Sequence, residues 1–145
     1  MSPADRIRPI AICVIRRDER LLVFEGHDPA KPETFYRPLG GGIDFGERGS
    51  DAVARELREE IDAEIHNIRY LGMLENIFVF GGRPKHELVQ VYEADLVDEA
   101  LYSAAPRVGH EDDGTPFQVM WKHLSEFVTG GLILYPDGLV SLLTA

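Results

Sequence analysis

Residues 41–63 read GGIDFGERGSDAVARELREEIDA, a glycine-rich turn running into a helix that ends on paired glutamates. Ser50 stands where an N-cap is needed, and the spacing predicts the helix from about Asp51 to Ile61. At 100° per residue, Glu56, Glu59 and Glu60 fall within an arc of roughly 100°. Val53, Leu57 and Ile61 form the adjoining apolar stripe, so the three carboxylates border the face to be buried. For an isolated helix this is a poor arrangement. Like charges at helix-neighbour spacing destabilise by a few tenths of a kcal/mol each, and Glu59 and Glu60 oppose the helix dipole in the last turn. A solvated acidic face is the competing reading. Clustered oxygen donors in so unfavourable a place point instead to a hard divalent cation, Mg²⁺ or Mn²⁺, as the missing counter-charge.

Outward from this segment the chain alternates between strand and turn signals. Ile10 to Ile15 is apolar on both alternate faces and reads as a central strand buried on both sides. Asp18-Glu19-Arg20 turns the chain into Leu21–Phe24, an antiparallel neighbour. His27 to Thr34 reads as a surface loop, and Phe35-Tyr36-Arg37 as a short strand leading to the glycines. Ile65 to Phe80 has mixed apolar spacing, with Ile77–Phe80 its best strand. Gly81 to Pro84 is a turn, and His86 to Leu96 a partner strand. Asp98 to Pro116 reads as a long polar loop, of a length that in compact domains is usually functional. Phe117 to Trp121 is a further strand, and Leu124–Val128 and Asp137–Leu143 are short helices. The expected fold is a mixed α/β sandwich formed by one domain, residues 1–145.

Gly41, five residues, Glu47, seven residues, then Arg55-Glu56-Leu57-Arg58-Glu59-Glu60 resembles the signature of the Nudix hydrolases. The resemblance implies an α/β/α sandwich and hydrolysis of a diphosphate linkage in a nucleoside diphosphate derivative. Nucleoside triphosphates, ADP-ribose and nucleotide sugars are the open substrate classes. It implies Glu59 and Glu60 as metal ligands, Glu56 as a ligand or as the base that orients water, and the Gly40 carbonyl beside them. Arg55 would grip a carboxylate, with Glu47 its expected partner, because a guanidinium fork holds carboxylates bidentately. A further carboxylate is expected from the long loop, Glu111 of the run Glu111-Asp112-Asp113, with Glu87 as competitor. Tyr36 and Arg37 are the expected substrate contacts, and Phe78 and the His27–Thr34 loop weaker ones. Two positions depart from the family pattern. Asp62 stands where a glycine is usual, and Leu39 separates Pro38 from Gly40. Asp tolerates a left-handed helix end, so the fold is expected to survive. The alternative function is a non-catalytic Nudix-fold nucleotide sensor or interaction module.

Composition narrows the partners. In 145 residues, fifteen basic against twenty-five acidic side chains give a net charge of −10. That argues against sequence-independent binding to nucleic acid or to an anionic membrane. A phosphorylated small molecule remains compatible, because divalent metal inverts the local sign. The single cysteine, Cys13, excludes disulfide frameworks and lies in an apolar strand as a core residue. Gly41 and Gly46 mimic the spacing of a phosphate-binding P-loop, but Glu47-Arg48 follows in place of Lys-Ser/Thr. No secretory leader or membrane span is read, and the expected location is the cytoplasm. The resemblance leaves a homodimer open.

Overall fold

The computed structural model describes residues 5–103 and 105–145. Its elements are β1 (Ile7–Arg17), β2 (Arg20–Asp28), β3 (Glu33–Arg37), β4 (Leu39–Gly42) and the helix α1 (Gly49–Ile61). Then come β5 (Ile65–Phe80), β6 (Arg83–Leu96), a 3₁₀ turn (Glu99–Ser103), β7 (Arg107–His110), β8 (Pro116–His123), α2 (Ser125–Val128) and α3 (Leu139–Thr144). The strands run in the order β5-β6-β1-β2-β8-β7, with β3 added to β2 and β4 to β1. β1 and β6 are parallel and the other pairs antiparallel. This is a mixed sheet.

β1 is the strand its sequence predicts, with every residue from Ile10 to Ile15 buried. Its two faces serve two cores. Ala11, Cys13 and Ile15 pack on Ala52, Val53, Leu57 and Ile61 of α1. Ile10, Ile12 and Val14 pack on Leu124, Phe127, Leu139 and Leu143 near the C-terminus. Helices therefore cover both faces, as in an α/β/α sandwich. No helix among the described residues is long and apolar enough to cross a membrane.

Several local expectations are corrected. The helix starts at Gly49, its N-cap is Arg48, and no side chain caps it. Gly49 sits so close to Gln90 and Tyr92 that a Cβ there would collide with both. Packing on β6 thus decides where α1 begins, and Ser50 does not cap it. The loop expected over residues 27–34 is a four-residue turn, because β2 runs to Asp28 and β3 starts at Glu33. Asp28 ties the short loop down, accepting the backbone N–H groups of Ala30 at 2.8 Å and Gly81 at 3.0 Å. The 98–116 stretch contains the 3₁₀ turn and β7. Tyr102 anchors it, stacked on Trp121 and accepting the Leu96 N–H at 2.8 Å. At the other end of α1, Asp62 adopts φ 54° and ψ 41°, the left-handed conformation expected of it. Its N–H and that of Ala63 close on the carbonyls of Arg58 and Leu57, as in a Schellman end.

Candidate active site

α1 presents its carboxylates beside the apolar stripe because Val53, Leu57 and Ile61 are drawn onto the sheet. Glu56 and Glu60 are consequently buried, each 5% exposed, whereas the Glu59 side chain reaches solvent. β4 closes over them. The Gly40 N–H donates to Glu60 Oε1 at 3.1 Å. A Cβ on Gly41 would stand 2.6 Å from Glu56 Oε1, so any side chain there would push that carboxylate out of its present place. Gly41→Ala should displace the Glu56 side chain and lower turnover at least about tenfold. A melting curve alongside the assay separates this local effect from unfolding; unchanged turnover would mean the close approach is unimportant.

Arg55 holds the constellation in place. Its Nε and Nη2 donate to the two oxygens of Glu47 at 2.8 and 2.9 Å, the bidentate fork that the resemblance implies. Nη2 also donates to the Gly42 carbonyl at 3.0 Å. Nη1 donates to Glu56 at 2.9 Å and Glu59 at 3.2 Å. The Arg55 guanidinium, helped by the Asp44 N–H, lowers the Glu47 carboxyl to a pKa of about 2.

The other carboxylates are strained electrostatically. Burial, reinforced by the charges of Glu56 and Glu111, pushes Glu60 up to about 9. Glu56 is raised by burial against the opposing pull of Arg55, and Glu111 by burial and its neighbours Asp112 and Asp113. Arg55 grips Glu56 and Glu59 directly, and Arg8 lines the same cleft as these acids. Among the described residues, Glu56, Glu59 and Asp112 each offer an oxygen within 4.8 Å of the others'. Three carboxylates from a helix and a strand-connecting turn make a hard-oxygen donor set suited to Mg²⁺ or Mn²⁺. Asp112 was not singled out by its sequence; its only signal was membership of the acidic run. Glu60 lies outside this trio, held by the Gly40 N–H.

Two clefts meet here. One of about 670 Å³ is lined by Asp44, Arg55, Glu56, Glu59 and Asp112. The second, of about 510 Å³, contains Gly40, Gly41 and Glu60 at one end and Phe35, Phe78 and Phe80 farther along. Arg8 and Glu111 line both. Arg37 faces the second cleft and donates to Glu87 at 3.1 Å. Glu87 is thereby engaged by a cation, whereas Glu111 bears on Glu60. Tyr36 is turned into the core against Phe127, its hydroxyl donating to Glu25 at 3.2 Å, and lines neither cleft. Arg8 carried no sequence signal as a site residue, because only the parallel pairing of β1 with β6 brings it to the junction.

A helix bearing inward carboxylates, locked by an arginine fork under a glycine strand, defines a fold and site of one class. The family model described as NUDIX domain matches residues 6–128, and the chain belongs to that family. The chain superposes on a MutT NUDIX hydrolase from Burkholderia pseudomallei with a TM-score of 0.68 and 19% identity, covering 96% of this chain and 98% of that one. A NUDIX hydrolase from Nitrosomonas europaea gives 0.67 and 15%, over 96% and 87%. These likenesses are of fold. In sequence the chain is 37% identical over 67 residues to the NAD-capped RNA hydrolase NudC of Mycobacterium tuberculosis (strain H37Rv), 46% of this chain and 21% of the relative. The corresponding protein of Vibrio atlanticus (strain LGP32) is 34% identical over 67 residues, 46% and 24%. The chain thus spans less than a quarter of the length of these curated relatives.

Proposed function

We propose that the chain is a Nudix pyrophosphohydrolase that cleaves a diphosphate linkage in a small nucleoside diphosphate derivative. The observation that carries this reading is the convergence of Glu56, Glu59 and Asp112 beside the junction of the two clefts. These residues would hold Mg²⁺ or Mn²⁺, with Glu60 and the Gly40 carbonyl alongside. A divalent cation supplies charge against the phosphate oxygens and makes water nucleophilic near neutral pH. Arg55 keeps Glu56 and Glu59 in position through its fork to Glu47. Glu56 and Glu111 are the groups placed to orient a water and take its proton, since both have carboxyls raised above the ordinary range. Arg8 and Arg37 face the region where phosphates would lie. No side chain needs to form a covalent bond to phosphorus.

The sequence relatives are named for action on capped RNA. For this chain a small nucleotide is the better reading, because a net charge of −10 disfavours sequence-independent attraction of an RNA strand. The test is a panel of nucleoside triphosphates, ADP-ribose and nucleotide sugars, run in ¹⁸O-water with and without Mg²⁺ or Mn²⁺. A nucleoside monophosphate should appear only with metal, and the label should lie in phosphate. Label in a sugar hydroxyl would overturn attack at phosphorus, and no product from any member would leave a binding module.

A further inference from the structure

The second cleft holds an acid where an anionic substrate should find none. Glu87 lines it together with Arg8 and Arg37 and is 6% exposed, and a carboxylate there repels phosphate. Its neighbours account for it. Across the strands, Glu87 of β6 stands opposite Arg8 of β1 on one side and the uncharged Asn76 of β5 on the other. Arg37 Nη2 donates to Glu87 Oε1 at 3.1 Å, and Arg8 Nη1 lies 3.9 Å from Oε2. One carboxylate thus engages two guanidiniums, with one oxygen toward each.

The two arginines are held unequally. The Arg37 side chain is 16% exposed and hydrogen-bonded, whereas that of Arg8 is 53% exposed and at the limit of ion-pair range. A guanidinium carries five N–H donors in a rigid plane, so fixing one edge on a carboxylate aims the others. Fixing it in advance also lowers the ordering cost of binding. Arg37 reaches Glu87 from another part of the sheet. β3 pairs with β2 and β6 with β1, while β1 and β2 pair with each other only at Arg16–Leu21 and Arg17–Arg20. The ion pair therefore ties the β2 side of the sheet to the β1 side, where Ile10, Ile12 and Phe24 also line the cleft. We propose that Glu87 is a positioning residue that aims Arg37 at the diphosphate, with Arg8 as the looser second cation. The inference rests on the proposed diphosphate hydrolysis and adds to it the group that orients the arginines facing the phosphates.

The direction of one substitution's effect tests it. Glu87→Gln keeps the volume and removes a negative charge from the cleft. Charge alone would then tighten phosphate binding, whereas loss of the aim loosens it. In calorimetric titration with adenosine 5′-(α,β-methylene)diphosphate and Mg²⁺, the variant should bind at least about threefold more weakly. In an Arg37→Met background the direction should reverse. There Arg37 is gone and the Glu87 charge faces the phosphates, so adding Glu87→Gln should tighten binding at least about twofold. The double variant leaves neither member of the ion pair charged and alone. A second readout needs only Glu87→Gln and the substrate that the nucleotide panel identifies. KM should rise at least about threefold, with kcat and the Mg²⁺ concentration for half-maximal rate within about twofold of the parent. Equal or tighter binding by Glu87→Gln in the parent background would overturn the aiming role. So would a failure to tighten in the Arg37→Met background, which would make Glu87 a strut between the two sides of the sheet. A fall in kcat with a raised Mg²⁺ requirement would also overturn it and make Glu87 a metal ligand. A parent that neither binds the methylene diphosphate nor cleaves any panel member would bring down the proposed function and this assignment together.

Discussion

Glu60→Gln is expected to raise the melting temperature of the metal-free protein and to remove most of its Mg²⁺-dependent activity. In the free protein the Glu60 carboxyl is buried beside Glu56 and Glu111, which raises it to about 9 from an ordinary 4.5. A folded-state value above the unfolded one means that the native state holds the proton more tightly. The associated stability is fully present below pH 4.5 and is lost progressively as pH rises through about 9. Glutamine avoids that loss and its carbonyl can still accept the Gly40 N–H. The advantage of the variant in EDTA should therefore be small near pH 4.5 and widen toward pH 9. Each pKa unit is worth about 1.4 kcal/mol, so even one unit moves the melting temperature by several degrees in a chain of this size. With Mg²⁺ the order should invert, because a cation bound only by the native state stabilises it by mass action. Melting curves for parent and variant across pH, in EDTA and in Mg²⁺, read both effects. Parallel pH profiles with equal Mg²⁺ shifts would make Glu60 a bystander to the metal site.

Glu56→Gln should lower turnover by roughly 10²–10⁴-fold, the range associated with loss of a group that handles a proton in the transition state. The same residue also offers an oxygen to the trio with Glu59 and Asp112, so its loss removes charge from the ligand set as well. Glu111→Gln should cost at least about tenfold, or roughly 1.4 kcal/mol of transition-state stabilisation. Glu87→Gln should affect KM more than turnover, because Glu87 is held by Arg37 rather than facing Glu60. Single-turnover rates at saturating substrate rank the three variants. If Glu87→Gln proved more damaging than Glu111→Gln, the extra carboxylate would lie on β6 and not in the β7–β8 turn.

What the sequence determined by itself is the part governed by short-range periodicity. The stripe Val53, Leu57, Ile61 and the carboxylates beside it follow from 3.6 residues per turn, and their placement against the sheet agrees. The double burial of Ile10–Ile15 follows from an apolar run without alternation. Asp62 could be read because a left-handed helix end is a local backbone matter.

Tertiary structure decided whatever depends on segments distant in the chain. Asp112 joins Glu56 and Glu59 only because β7 packs across α1, as the close approach of Gly109 to the Glu60 carbonyl shows. The first helical residue was set by how Gly49 fits against Gln90 and Tyr92, so a capping hydroxyl at Ser50 carried no information about it. Tyr36 and Arg37 are neighbours in a strand, and alternation alone sends one into the core and the other to the cleft. The same holds for Asn76. In a strand of mixed spacing its face is undetermined, because a one-residue change of register exchanges the two sides of the sheet. Its pairing with Glu87, eleven positions along the chain and across the Gly81-Gly82 turn, is what puts it on the face that lines the cleft.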